Sequence, residues 1–87
     1  MKREKTIHHE KYCEIIDFLR AERKRLGLSQ SDVAEALNMT QSDISKIETY
    51  ERRVDVWEFK TLLSLYRISQ NEPLKRMVTV YLGLDQV

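Results

Sequence analysis

Apolar residues along this chain fall into helical stripes separated by capping residues. From about Glu10 to Arg25, the positions Tyr12, Ile15, Ile16, Leu19 and Leu26 recur near the 3.6-residue helical period and predict an amphipathic first helix. Its last turn is basic (Arg23, Lys24, Arg25), which suits the negative end of a helix dipole, and Gly27 ends it. Two short helices are encoded within 29–49. Ser29 and Thr40 are both good N-cap residues, and both precede Gln-Ser-Asp. Asp32 and Asp43 then complete capping boxes, at a position where Glu or Gln is commoner. The spacing leaves about two turns for the first of the pair, at ~3.6 residues per turn. It must end near Leu37, because Asn38 suits a left-handed backbone. Val33, Ala34 and Leu37 form one narrow stripe, and Ile44 and Ile47 form the next. Met39 can fill the gap between them, and Ala34 is small enough to let the helices approach closely.

The rest of the pattern builds a scaffold. Asp55 and Glu58 predict a capping box at a fourth helix, whose Phe59, Leu62, Leu63 and Tyr66 face inward, with Ile68 closing its end. Trp57 suits the core or a surface anchor equally. Glu72-Pro73 opens a fifth helix. There Leu74, Met77, Val78, Tyr81 and Leu82 form a strong stripe that Gly83 stops. That helix either completes the monomer core or packs against its copy in a second chain. The expected organisation is a flexible segment at 1–9, a domain at 10–69 and a C-terminal helix within 70–87.

The second helix of the central pair is plain and polar on its outer face: Gln41, Ser42, Asp43, Ser45, Lys46, Glu48 and Thr49. Such a helix must be held by packing rather than by its own propensity. A short polar helix braced by another fits the DNA major groove, and an ordinary solvent-facing helix fits the same pattern.

The residues Leu19, Arg23, Gly27, Leu28, Ser29, Gln30, Val33, Ala34, Leu37, Met39, Thr40, Gln41, Ile44, Ser45, Ile47, Glu48, Arg52, Arg53 and Asp55 carry a resemblance to the Cro/Xre-type helix-turn-helix family. The resemblance runs from Leu19 to about Ser69. It implies an all-α fold, a compact five-helix lambda-repressor-like bundle with the helix-turn-helix at its second and third helices. It implies that Gln41, Ser42, Ser45 and Lys46 read base edges. Gln30, Thr40, Thr49, Arg52 and Arg53 become candidates for phosphate contact, and Arg23 and Glu48 for a structural ion pair. The chemistry agrees with those roles. A Gln amide offers adenine a donor and an acceptor together, and Lys reaches guanine acceptors or a phosphate. Short Ser hydroxyls bind edges directly or through water. Asp43 can cap its own helix, accept from a cytosine amino group, or point away.

Three positions depart from the family pattern, the first being Asn38, which tolerably fills a turn position usually held by Gly. Tyr50 stands where Gly is usual after the recognition helix, and Val54 where Pro often follows. Tyr50 suits a left-handed position poorly, so the helix is expected to run on or Tyr50 to touch the sugar–phosphate backbone.

Composition narrows the function without fixing it. An 87-residue chain with one Pro and two Gly has room for one small helical core. A net charge of +1 gives no strong non-specific pull on nucleic acid. It favours a homodimer reading two half-sites of double-stranded DNA, and keeps open a protein-interaction role such as an antitoxin or adaptor. The lone Cys13 cannot close an internal disulfide, and no membrane span or signal peptide is visible, so a cytoplasmic protein is expected. His8 and His9 read as incidental rather than as metal ligands. No spaced Cys/His set, phosphate-binding glycine loop or nucleophile–base pair points to an enzyme, a metal, a cofactor or a small-molecule ligand.

Overall fold

A computed structural model describes residues 9–67 and 70–83 of the chain. The expectations placed on His8, on Ile68 and on the segment before residue 9 lie outside the described residues. Among the described residues there are five α-helices: α1 (Glu10–Arg25), α2 (Gln30–Leu37), α3 (Gln41–Glu48), α4 (Val56–Leu65) and α5 (Glu72–Tyr81). The all-α bundle expected from the sequence is the fold observed.

Each helix begins with a side chain that accepts from the backbone of its own first turn. The N-caps are His9, Ser29, Thr40, Asp55 and Asn71. Reciprocal capping boxes form at Ser29–Asp32, Thr40–Asp43 and Asp55–Glu58, so six donors that would otherwise be orphaned are satisfied in pairs. Asp43 is therefore occupied as a cap, and its backbone hydrogen bond from Thr40 holds its carboxyl below the usual range.

Each helix also ends the same way. Within two residues of its last turn the chain adopts a left-handed conformation, at Gly27, Asn38, Tyr50, Arg67 and Gly83 in turn. After α2 the Met39 N–H reaches the Ala34 carbonyl at 2.8 Å and the Asn38 N–H reaches Glu35 at 3.2 Å, the paired bonds of a Schellman motif. The same pair recurs after α3, where Glu51 bonds to Lys46 at 2.8 Å and Tyr50 to Ile47 at 3.1 Å. The recognition-helix candidate thus stops at Glu48 and does not run on. Tyr50 takes a left-handed φ of 67° without being glycine. Its phenol donates to the Asp17 carboxylate on α1, a contact that offsets the strain.

The core is built from the predicted stripes, except that Leu82, expected in the stripe of the fifth helix, caps its end and is 51% exposed. Tyr12, Ile15, Ile16 and Leu19 of α1 meet Val33 and Ala34 of α2, Ile44 and Ile47 of α3, Leu62 of α4 with Tyr66, and Leu74 and Val78 of α5. Met39, Leu37, Phe59 and Leu63 are half-buried around that centre. Burying a Leu or Ile side chain contributes roughly 1.5–3 kcal/mol, so these positions supply most of the driving force for folding. The inner face of α5 completes this core against α1. The His9 ring meets Tyr81 edge-on, which ties the start of α1 to the end of α5. Trp57 is a surface residue, 67% exposed and capped by the Lys60 ammonium at 5.4 Å from its ring centre.

Candidate nucleic-acid interface

The outer edge of α3 is positioned by what its inner edge buries. Ile44 and Ile47 sink into the core and fix the rotation of the helix. Gln41, Ser42 and Lys46 are then exposed, and Ser45 is half-exposed. These four sequence-predicted base readers share the face opposite the core, as helical spacing requires. Thr40 and Thr49 flank it at the two ends, both exposed. Thr40 is engaged as the N-cap of α3, and the Thr49 hydroxyl donates to the Ser45 carbonyl at 3.0 Å.

A chain of polar contacts runs beneath this edge and links three helices. Arg23 on α1 donates from Nε to Glu48 Oε2 at 2.7 Å and from Nη2 to Oε1 at 3.0 Å. Its Nη1 donates to the Leu28 carbonyl at 2.8 Å, which also ties the loop after α1. The two side chains are 9% and 8% exposed, so the contact is sealed from water. Hydrogen bonding to Glu48 pushes the Arg23 guanidinium pKa further up against the opposing effect of burial. Glu48 Oε1 also accepts from Gln30 Nε2 at 2.9 Å. Gln30 Oε1 in turn accepts from Gln41 Nε2 at the start of α3. An amide nitrogen carries two hydrogens, so that bond leaves Gln41 one donor and its own amide oxygen for an outside partner. Gln30 is half-buried, with both ends of its amide engaged; its surface available to a phosphate is correspondingly reduced.

The loop between α3 and α4 is pinned as well. Tyr12 uses its hydroxyl to accept the Val54 N–H at 3.2 Å, and its ring lies under the Arg53 guanidinium at 5.6 Å. Arg53 is exposed in this loop, as a phosphate contact would need. Arg52 is in a different position. Nη1 and Nη2 donate to the two oxygens of Glu58, each at 3.0 Å. Of the two arginines expected as phosphate contacts, Arg52 is thus paired within the chain, whereas Arg53 is not paired with a carboxylate among the described residues. From sequence, Glu58 is legible only as a cap. The pairing crosses a helix boundary, so no helical spacing advertises it, and the same holds for Tyr50 with Asp17.

Among the described residues no cluster of His, Cys, Asp or Glu could hold a metal ion. No helix among them is long and apolar enough to cross a membrane. A comparison with curated proteins finds no match. The family model described as a helix-turn-helix domain matches residues 15–73, which takes in α1 from Ile15 onward, the whole of α2, α3 and α4, and the first two residues of α5. With the α2–turn–α3 unit, its braced outer edge and that match in agreement, this chain belongs to the helix-turn-helix domain family.

Proposed function

We propose that the chain is a small, sequence-specific double-stranded DNA-binding regulator of the Cro/Xre type, with the 41–49 segment in the major groove. The observation that carries this reading is the orientation of Gln41. Its amide is held by Gln30, which is held by Glu48, which is held by Arg23, so the group meant for a base edge is fixed before DNA arrives. Ser42, Ser45 and Lys46 lie beside it on one face. Arg53, Thr40 and Thr49, all exposed, meet phosphates along the flanks in this reading, and Gln30 does so through what remains of its amide. The protein acts without a cofactor, as a cytoplasmic homodimer whose two copies read half-sites about one DNA turn, roughly 34 Å, apart.

Selection of bound fragments from a pooled random-duplex library tests the reading directly. An enriched motif is expected, and binding to it by Gln41→Ala should weaken by about 1–3 kcal/mol while binding to random duplex is unchanged. Equal losses on both kinds of DNA would contradict the assignment.

A protein-interaction role is the second reading. It is favoured by Val56 and Trp57, adjacent apolar residues that are 86% and 67% exposed at the start of α4. Failure of the random pool to yield any bound duplex would bring this alternative, an antitoxin-like or adaptor module, to the front.

A further inference from the structure

Arg52 and Arg53 are neighbours in sequence but opposites in electrostatic setting. Both Nη groups of Arg52 meet the Glu58 carboxylate at 3.0 Å. Its Nη1 also reaches the Arg53 carbonyl at 3.3 Å, and the charges of Asp43 and Asp55 act on it as well. Glu58 cannot swing aside, because its Oε1 also accepts the Asp55 N–H at 3.0 Å as part of the α4 capping box. Arg53, by contrast, rests on the Tyr12 ring and has no carboxylate within ion-pair distance among the described residues.

We propose that Glu58 sequesters Arg52 so that the loop offers DNA one guanidinium, that of Arg53, and thereby limits sequence-independent attraction to the phosphate backbone. The inference rests on the DNA-binding reading above. For Arg52 to serve a phosphate, two charge-assisted hydrogen bonds would have to break. Glu58 would be left as a mostly buried, unpaired carboxylate facing a polyanion. Non-specific affinity grows with the number of phosphates neutralised, whereas base reading does not depend on that number. Holding back one cation per protomer therefore lowers sequence-independent binding while leaving the base contacts themselves untouched. Glu58 acts here as a positioning residue, through Arg52.

The test is the salt dependence of binding to a pool of random-sequence duplexes. Each phosphate contact contributes about −0.9 to the slope of log K against log salt. Glu58→Gln is expected to bind the pool several-fold more tightly at low salt and to steepen the slope by about 0.9 per bound protomer. Its new amide oxygen can still accept the Asp55 N–H, and a retained melting transition shows that the fold survives. Arg52→Gln should leave the wild-type slope unchanged, and Arg53→Gln should make it shallower. The double variant E58Q/R52Q should return to the wild-type slope, which a purely structural role for Glu58 would not produce. Asp55→Asn removes one negative charge from the same loop without releasing Arg52, and should steepen the slope less than Glu58→Gln.

An unchanged slope in Glu58→Gln, a shallower one in Arg52→Gln, or equal steepening by Asp55→Asn would overturn the inference while leaving DNA binding intact. If Glu58→Gln proves unstable, Arg52→Gln alone decides by the same criterion. If neither wild type nor Glu58→Gln binds the pool at low salt, the inference and the DNA-binding reading fall together.

Discussion

Two bidentate arginine–glutamate pairs bracket the end of α3, Arg23–Glu48 side-on through Nε and Nη2 and Arg52–Glu58 end-on through both Nη groups. Arg23–Glu48 lies beneath the helix and is sealed, whereas Arg52–Glu58 lies in the loop beyond it, with its side chains 37% and 11% exposed. What separates them is what each carboxylate holds in addition. Glu48 holds the Gln30 amide and, through it, Gln41. Glu58 holds the backbone at the start of α4. The first pair therefore sets the orientation of an exposed amide at the start of α3, and the second sets the course and charge of a loop. Bidentate geometry alone distinguishes neither role; burial and the carboxylate's remaining partner do.

The sharpest way to break this contrast is to remove each carboxylate in turn. Glu48→Ala leaves a buried guanidinium without its counter-charge and frees Gln30. Breaking a buried pair in this way costs about 3–5 kcal/mol, which in a domain of this size lowers Tm by more than about 12 °C. Glu58→Ala loses a partly exposed pair and half of a capping box, together about 1–2 kcal/mol, with a smaller fall in Tm to match. Thermal melting of both variants at one pH settles the order. A lower midpoint for Glu58→Ala than for Glu48→Ala would show that the loop, not the sealed pair, organises the domain.

The part of this contrast that sequence made legible is the local part. N-caps, apolar stripes and the left-handed turns at Gly27, Asn38 and Gly83 follow from residue type at a position, because cap and stripe chemistry acts over three or four residues. The left-handed ends at Tyr50 and Arg67 were not legible, since neither residue prefers that conformation and the helix must be stopped by partners distant in sequence. Arg23 with Glu48 came from family resemblance, not from spacing. Arg52 with Glu58, and Tyr50 with Asp17, join segments across turns whose direction only the folded chain fixes.

Tyr50 supplies the next test, and an intermediate effect. A left-handed non-glycine residue costs roughly 1–2 kcal/mol, so Tyr50→Gly should relieve strain at the end of α3. It also removes the phenol that α1 holds through Asp17. The two effects separate in a double-mutant cycle with Asp17→Ala. In the Asp17→Ala background, Tyr50→Gly is expected to raise stability by up to about 1 kcal/mol, measured by urea denaturation. In the wild-type background the gain should shrink or reverse. A gain of equal size in both backgrounds would mean that the phenol–carboxylate contact contributes nothing to holding the helix end.

The smallest effect is the pH and salt dependence of the loop pair. Hydrogen bonds from Arg52 hold the Glu58 carboxyl below its ordinary range, against burial, which raises it. A carboxylate with a depressed folded pKa stabilises the fold above its unfolded value, about 4.3 for Glu, and loses that contribution as pH falls through the lower folded value. The stability gap between wild type and Glu58→Gln should therefore be constant from neutral pH down to about 5 and close progressively below about 4. Half-exposure of Arg52 keeps the whole gap under about 1 kcal/mol, and added salt should narrow it further, because water and ions reach this pair. Arg23–Glu48 is shut away from both, so the cost of Glu48→Ala at neutral pH should be insensitive to salt. A Glu58→Gln gap that ignores salt would place the loop pair in the same sealed class as its partner beneath α3, and the division of labour between them would fail.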